Sequence, residues 1–333
     1  MKTRVAVIGG GVSAERTVSL DTARAVRDHL PRDEFEARAV EILPDGTWRV
    51  GDARPEAPER AILRLKSART AVVFIGLHGS LGEDGTIQGF LDVAGLPYVG
   101  SGVCASAIGM DKARAREVLS SHGLRVAPGL ELSGIPPTEA VALVKRQIGL
   151  PAVVKDPCGG SSIGVRLAGS DSALRRALRE HLGRPGGRVV VEKFIRGREL
   201  SVPVIGNASR GGDLEALHPI LIRPLGRDFF DFRSKYDPDC VEELCPAPVD
   251  PEVIRRVTEG ALVAHLALRC DGISRTDFIV PQRGPPVFLE INTLPGLTAA
   301  SLCPKAAAAA GLPFPELLRK LVRLALEKSE GGR

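Results

Sequence analysis

The feature that most constrains the fold is a short apolar segment near the start of the chain, followed at once by three glycines. Residues 5–8 are apolar and rich in β-branched side chains, which is typical of a buried parallel strand. A helical pattern follows glycines 9–11, with Ser13 as its expected N-cap. Further strands are expected at residues 35–42 and 71–75. Strands that alternate with helices predict a doubly wound parallel sheet up to about residue 100.

Composition excludes several classes of protein. The 333 residues are enough for two or three domains, and a net charge of +5 is too small to indicate a nucleic-acid partner. No apolar run approaches the ~18 residues of a membrane span, and the apolar run at the start is too short for a signal peptide. The six cysteines lack the CxxC spacing of a zinc site. We therefore predict a cytoplasmic protein with reduced thiols and no membrane partner.

The remainder of the chain predicts two further segments in which helices and strands are mixed. The middle segment has helical patterns at residues 103–121, 138–148 and 172–182 and a strand at 152–155. The third segment has strand-like runs at residues 189–194, 200–205, 214–222, 273–280 and 287–291, and helices at 251–268 and 314–326.

A long segment without periodicity interrupts the third part of the chain. Residues 223–248 show neither the period of a strand nor that of a helix, and they contain three of the ten phenylalanines. A long irregular loop inside a compact domain is often a lid or a binding loop. We therefore predict that this segment closes over a ligand.

The first glycine-rich loop has two interpretations. Glycines 9–11, with Glu41 at the end of the second strand, resemble a dinucleotide fingerprint and leave a nicotinamide or flavin oxidoreductase open. Against this, Glu15 at the start of the helix would repel a pyrophosphate and suits an ammonium group better. The carboxylate could also do no more than complement the helix dipole.

A second glycine-rich loop favours phosphate binding. Residues 159–164 follow the strand that ends at Lys155, and they combine glycines with Ser161 and Ser162. Glycines allow backbone N–H groups to approach phosphate oxygens, and serines add further donors. The Walker pattern is absent from the sequence, so this is a phosphate loop of another type or else an ordinary turn.

The clearest candidate site lies on two strands joined by a turn. Arg275 and Asp277 share one face of the first strand by its period of two, as do Glu290 and Asn292 on the second. Two carboxylates and an amide form the oxygen-rich site that Mg²⁺ prefers. The apolar residues around them indicate a buried sheet, where a pair of carboxylates without a cation would be costly.

Read in order, these patterns resemble the D-alanine–D-alanine ligase family of ATP-grasp enzymes, and the matches extend over nearly the whole chain. Each match is weak alone, but their joint occurrence is specific. The matching segments are residues 9–15, 18–20, 78–79, 82–85, 88–89, 110–112, 160–165, 192–199, 235–236, 275–278, 290–293 and 295–298.

The resemblance implies a fold, a reaction and a division into domains. The fold is α/β: an N-terminal doubly wound domain at residues 1–100, then two α+β ATP-grasp domains at 101–190 and 191–333, the second with the lid loop 223–248. The reaction joins two D-alanines into D-alanyl-D-alanine through an acyl phosphate, with ATP as co-substrate, for peptidoglycan synthesis. A homodimer is also expected.

The resemblance also implies residue roles. Glu15, Ser161, Tyr236, Arg275 and the Gly296 N–H would be the catalytic groups, the last two stabilising a tetrahedral oxyanion. Substrate binding would involve Glu15, His78, Lys235, Ser301 and Leu302. ATP would contact Lys112, Lys155, Ser161, Ser162, Glu192, Lys193, Phe194 and Glu199. Two Mg²⁺ or Mn²⁺ ions would be held by Asp277, Glu290 and Asn292.

The sequence departs from the family pattern at three places. Asp156 follows Lys155 where proline is usual, Phe230 and Phe232 stand where tyrosines are common, and two alanines at 299–300 replace residues that are often polar. The last change leaves open a related ligase that uses D-lactate, D-serine or another amino acid as second substrate. A catalytically silent ATP-binding relative is a further alternative, although it would be expected to have lost the metal ligands.

Overall fold

The strands and helices follow the predicted alternation closely. The structure, a computed structural model, describes residues 2–160, 164–225 and 241–330. The strands are β1 Thr3–Gly10, β2 Phe35–Ile42, β3 Trp48–Val50, β4 Val72–Ile75, β5 Tyr98–Val99, β6 Gly129–Ser133, β7 Ala152–Lys155, β8 Arg166–Ala168, β9 Arg188–Lys193, β10 Gly197–Asn207, β11 Glu215–Ala216, β12 Ile220–Pro224, β13 Val241–Leu244, β14 Asp271–Pro281 and β15 Val287–Asn292. The helices are α1 Arg16–His29, α2 Pro58–Ser67, α3 Thr86–Ala94, α4 Val103–Met110, α5 Lys112–Ser121, α6 Pro137–Gln147, α7 Asp171–Leu182, α8 Pro251–Ala267, α9 Leu302–Ala309 and α10 Phe314–Glu330.

The first sheet is doubly wound, as predicted. Its strand order is β3-β2-β1-β4-β5, and all neighbours are parallel except β3, which runs antiparallel to β2 at the edge. Helices α2 and α3 bury Leu65 and Leu91 against one face. Helix α1 buries Val26 against the other face. Because parallel strands end at the same edge, the loops after β1 and β4 lie side by side there.

The C-terminal helix returns to this first sheet. Helix α10 packs Leu321 into the same core as α1 and β1. Its Arg319 pairs with Glu34 at 2.9 Å, and Lys328 lies 4.4 Å from the ring centroid of Tyr98 on β5. The two ends of the chain therefore share one hydrophobic core.

The second and third sheets are antiparallel and carry the middle and C-terminal parts of the chain. The second has the order β6-β9-β7-β8, with α6 and α7 packed on it. The third has the order β13-β12-β10-β14-β15, with β11 also paired to β10. Helices α4, α5 and α8 pack on this third sheet. Strand β9 spans the predicted boundary at residue 190, so the domain limits stay predictions.

Three details differ from the sequence-based expectations. Helix α1 has Glu15 rather than Ser13 at its N-cap position, because the Ser13 hydroxyl donates to the His78 carbonyl at 2.9 Å. The single helix expected at 103–121 is divided at Asp111, whose side chain accepts hydrogen bonds from the first N–H groups of α5. The strand expected at 214–222 is divided into β11 and β12.

The predicted lid segment at 223–248 contains strand residues at both ends. Arg223 and Pro224 belong to β12, and β13 pairs with them antiparallel at the edge of the third sheet. Sequence periodicity missed β13 because it is only four residues long and carries Glu242 and Glu243. Residues 226–240 lie outside the described residues, so the lid itself stays a prediction.

No helix within the described ranges has both the length and the apolar character needed to span a bilayer.

Candidate active site

The glycine turn at the end of β1 packs against the side chain of Arg16. Gly10 and Gly11 have φ values of 89° and 101°, and a Cβ at Gly10 would lie 2.4 Å from the Ile42 carbonyl oxygen. Arg16 donates to that same oxygen at 2.5 Å and pairs with Glu41 at 2.6 Å. The carboxylate that a dinucleotide site would offer to ribose is therefore in an ion pair, and the oxidoreductase interpretation loses its support.

Glu15 lies where three loops meet. Its carboxylate is so close to two glycine backbones that a Cβ at Gly79 would lie 2.4 Å from Oε2, and one at Gly160 would lie 2.8 Å away. Gly79 follows β4, and Gly160 belongs to the second glycine-rich loop, for which phosphate binding is predicted. The glycines at these two positions thus allow Glu15 to reach the junction between the first and second sheets.

His78 is held in one orientation by its neighbours. Its ring nitrogens lie 2.9 Å from Thr22 Oγ1 and 3.1 Å from Glu83 Oε1, and its backbone N–H donates to Ser19 Oγ at 2.9 Å. Neither Thr22 nor Glu83 was predicted to have a role. A role for Glu83 could have been predicted, because it lies within residues 82–85, which match the family pattern.

The strands β14 and β15 bring together the predicted oxygen-rich group. Asp277 and Glu290 are register partners, as are Arg275 and Asn292, so the prediction that these side chains share one face is confirmed. The Arg275 guanidinium donates to both carboxylate oxygens of Asp277, at 3.0 and 2.8 Å, and Ser201 donates to one of them at 2.5 Å.

Electrostatics keep the Arg275 guanidinium of this buried pair ionised. Burial works to lower the pKa of Arg275, but the adjacent Asp277 outweighs it and raises that pKa above its usual range. The guanidinium therefore stays charged at every physiological pH. A buried charged pair is stable only when both partners remain in place.

A bulge in this strand pair adds one cavity-lining residue. The register shifts between Asp277 and Phe278, so that Glu290 opposes Asp277 while Phe288 opposes Phe278. Leu289 is the extra residue on β15, and it lines a cavity together with Glu290. A strict period of two would have placed these neighbours on opposite faces.

Two adjoining cavities lie around these strands. One, of about 370 Å³, is lined by Glu15, His78, Glu83, Lys112, Gly160, Glu199, Arg275, Asp277, Glu290, Asn292, Gly296, Ser301 and Leu302, among others. The other, of about 300 Å³, is lined by Lys112, Lys155, Glu192, Lys193, Phe194, Glu199, Leu289 and Glu290, among others. We call them the first and the second cavity. Lys112, Glu199, Ile222 and Glu290 line both, so the two cavities share a wall.

The two lysines predicted to bind phosphate both line the second cavity, and Lys112 also belongs to the shared wall. Lys112 Nζ lies 2.6 Å from the Gly159 carbonyl oxygen and 3.5 Å from Glu290 Oε2. Lys155 Nζ donates to Glu192 at 2.5 Å, and Arg116 contacts the other oxygen of that carboxylate. Burial alone raises the pKa of Glu192, but Lys155 and Arg116 outweigh it and hold that pKa below its usual value.

The loop after β15 forms the far side of the first cavity. The Ser301 hydroxyl lies 2.8 Å from Thr298 Oγ1 and accepts a hydrogen bond from the Thr298 N–H at 3.1 Å. A Cβ at Gly296 would lie 3.0 Å from Ser301 Oγ. Gly296, Ser301 and Leu302 therefore form one compact turn at the start of α9.

The structure thus brings most predicted site residues to the two cavities. Ser161, Ser162, Lys235, Tyr236, Phe230 and Phe232 lie outside the described residues, and their predicted roles stay predictions. Of the departures from the family pattern, Asp156 accepts a hydrogen bond from the Cys158 N–H at 2.9 Å. Ala300, which has a small side chain, lines the first cavity together with Ser301.

Sequence comparisons point to one family. Residues 4–101 match the family model described as D-ala D-ala ligase N-terminus, and residues 118–323 match D-ala D-ala ligase C-terminus. The chain is 41% identical to a D-alanine–D-alanine ligase of Desulfotalea psychrophila, over 100% of this chain and 98% of the relative. It is 43% identical to one of Desulforudis audaxviator, over 98% of this chain and 100% of the relative.

Solved structures agree with the sequence comparisons. A D-alanine–D-alanine ligase from Coxiella burnetii has a TM-score of 0.83 at 28% identity, with 99% of this chain and 95% of that chain covered. The VanG D-Ala:D-Ser ligase from Enterococcus faecalis has a TM-score of 0.82 at 29% identity, covering 98% and 100%. The Bacillus anthracis ligase complexed with ATP has a TM-score of 0.78 at 28% identity, covering 99% and 100%. The ATP-grasp fold expected from the sequence is confirmed, and the chain belongs to the D-alanine–D-alanine ligase family.

Proposed function

We propose that this chain uses ATP to join two D-alanines into D-alanyl-D-alanine through an acyl phosphate, for peptidoglycan synthesis. The observation that carries the proposal is the shared wall of the two cavities. Lys112, Glu199 and Glu290 line both, so a nucleotide in the second cavity would direct its phosphates to a carboxylate substrate in the first. The ATP complex of the Bacillus anthracis relative supports the use of that nucleotide.

The first cavity has side chains suited to bind two amino-acid substrates, one after the other. Glu15 offers a carboxylate to the ammonium group of the first D-alanine, and His78 lines the same cavity. Arg275 offers a fixed positive charge where the oxyanion of the tetrahedral intermediate develops, together with the Gly296 N–H. Ser301 and Leu302 would then place the second amino acid. Catalysis in this arrangement depends on positioning and charge neutralisation rather than on a protein nucleophile.

The donor set at β14 and β15 suits divalent metal ions. Among the described residues there is no group of three or more His, Cys, Asp or Glu side chains that could hold a metal ion. Here, however, Asn292 adds an amide oxygen to the two carboxylates of Asp277 and Glu290. Arg275 and Lys112 contact these carboxylates and offset their charge. We infer that the three residues would hold two Mg²⁺ or Mn²⁺ ions. Bound there, the ions would neutralise phosphate charge on ATP.

The choice of second substrate has one specific alternative. VanG, a D-Ala:D-Ser ligase by its name, has nearly the same TM-score as the D-alanine–D-alanine ligase from Coxiella burnetii. Ala300, which has a small side chain, also lines the first cavity, and a hydroxymethyl group would need space there. D-serine is therefore the second candidate. The predicted cytoplasmic location and homodimer stay predictions.

One assay separates these candidates. The purified chain is incubated with ATP, Mg²⁺ and a panel of D- and L-amino acids and D-lactate, and phosphate release and product mass are measured. We expect D-alanyl-D-alanine as the main product. A main product that ends in D-serine or D-lactate would change the assignment of the second substrate, and no phosphate release with any member would refute the ligase activity.

Thr298→Val is expected to weaken the binding of the second amino acid alone. Valine has the shape of threonine but removes the hydroxyl that lies 2.8 Å from Ser301 Oγ. Ser301 then loses one of its two hydrogen bonds to residue 298, keeps the one from the backbone N–H at 3.1 Å, and is held less firmly. The loss of one hydrogen bond predicts a rise of about fivefold in the KM of the second D-alanine. Thr298→Ser keeps the hydroxyl and is the matched control. Equal KM values in the two variants would contradict the role given to this contact.

A further inference from the structure

Three charged side chains form a buried cluster at the wall of the second cavity. Glu192 on β9 is 4% exposed, and each of its carboxylate oxygens contacts a different cation. Oε1 contacts Nη1 of Arg116, and Oε2 accepts a hydrogen bond from Lys155 Nζ at 2.5 Å. The cluster therefore consists of one anion between two cations, and Arg116 is not among the residues predicted to be functional from the sequence or from the family resemblance.

The position of Arg116 is fixed by the backbone around it. Arg116 extends from α5 toward the second sheet, where Nη2 donates to the Ala127 carbonyl oxygen at 2.7 Å. Gly129 is the register partner of Glu192 on the neighbouring strand, and a Cβ there would lie 2.5 Å from Arg116 Nη1. A glycine at 129 thus leaves the space that the guanidinium occupies.

Arg116 reaches the cavity through other residues. Ala127, Lys155 and Glu192 line the second cavity, and Arg116 bonds to two of these three. It therefore contacts the wall of the cavity from behind. A substitution of Arg116 would therefore change ligand binding in the cavity mainly by changing the position and charge of Glu192.

The charge balance of the cluster matters when a phosphate arrives. A phosphate group that binds Lys155 would share its ammonium with Glu192, and the phosphate charge would draw the ammonium away from that carboxylate. If Lys155 were the only partner of Glu192, its transfer to phosphate would leave a buried carboxylate unpaired, which is costly. Arg116 removes this conflict, because it remains bound to Glu192 while Lys155 turns to the phosphate.

We propose that Arg116 is a positioning residue for nucleotide binding, which keeps Glu192 paired and in place so that Lys155 is available to phosphate. This inference rests on the proposed function, since it takes the second cavity to be the ATP site. It makes ATP affinity, rather than amino-acid affinity, the property that Arg116 controls.

The test compares nucleotide binding by three variants of the full chain. Arg116→Gln removes the charge, Arg116→Lys keeps it, and Arg114→Gln removes an exposed arginine from the same helix as a control. The non-hydrolysable analogue AMP-PNP is titrated with Mg²⁺ by calorimetry, and KM values for D-alanine and melting temperatures are measured in parallel. We expect the Kd for AMP-PNP to rise at least about tenfold in Arg116→Gln. Arg116→Lys should recover most of this loss, while Arg114→Gln and the KM for D-alanine should stay unchanged.

A double-mutant cycle separates positioning from simple structural damage. In a Glu192→Gln background the buried negative charge is gone, so adding Arg116→Gln should have little further effect on the Kd for AMP-PNP. Equal effects of Arg116→Gln in both backgrounds, or equal binding by parent and Arg116→Gln, would overturn the inference while leaving the proposed function intact. A parent protein that binds no AMP-PNP would overturn the proposed function, and this inference with it.

Discussion

Replacing Glu290 with glutamine is expected to lower kcat at least about 10³-fold, even at saturating Mg²⁺. Glu290 lines both cavities and is the register partner of Asp277. Glutamine has nearly the same shape but lacks the negative charge that would hold metal ions at the phosphates of ATP. The change therefore removes charge from the proposed reaction centre without creating a cavity.

The fold of this variant is expected to survive. The Glu290 side chain is 32% exposed, so glutamine can be solvated there at little cost to stability. Glu215→Gln is the matched control, because Glu215 also lies on a strand of the third sheet and also pairs with a lysine, Lys320, but lines neither cavity. Steady-state rates across a Mg²⁺ titration, with melting temperatures of both variants, make the comparison. Near-normal turnover of Glu290→Gln at high Mg²⁺ would refute the metal assignment.

The strands of the site could be predicted from sequence because each carries a local signal. The period of two at 273–280 and 287–291 was enough to predict that Arg275 and Asp277 share one face, as do Glu290 and Asn292. The register confirms this, because Arg275 lies opposite Asn292 and Asp277 lies opposite Glu290. The bulge at Leu289 could not be predicted in this way. A single extra residue changes no local propensity, and only the pairing of the two strands reveals it.

Long-range contacts were the other part that sequence reasoning missed. Arg116 looks like an ordinary charged residue on a helix surface, because its partner Glu192 is 76 residues away along the chain. The packing of α10 on the first sheet likewise depends on a long-range contact. The amphipathic periodicity of α10 predicts that the helix has an apolar face, but not which element covers it. The short strands β3 and β5 form because neighbouring strands supply their hydrogen bonds, and runs of two or three residues carry little pattern of their own.

Arg275→Lys is expected to lower kcat by about 10²- to 10³-fold with a much smaller effect on stability. The Arg275 guanidinium donates through Nε and Nη2 to the two oxygens of Asp277, and its planar fork can hold this pair while it still faces the first cavity. A lysine ammonium is a single point charge that can satisfy Asp277 or a developing oxyanion, but not both in a fixed geometry.

Lysine is chosen rather than glutamine so that an effect on the reaction rate can be separated from an effect on stability. Arg275 and Asp277 are 9% and 3% exposed, and Arg275→Gln would leave a buried carboxylate without its cation, at a cost of about 3–5 kcal/mol in the free energy of unfolding. Lysine keeps the charge, so a loss of rate can be assigned to the missing fork instead of to unfolding. Arg319→Lys is the control and should keep full activity, because Arg319 also pairs with carboxylates, those of Glu34 and Glu316, but lies on α10 away from both cavities. If single-turnover formation of the dipeptide is as fast in Arg275→Lys as in the parent, Arg275 serves only to neutralise Asp277, and the oxyanion must be stabilised by other donors of the first cavity, with the Gly296 N–H the next to test.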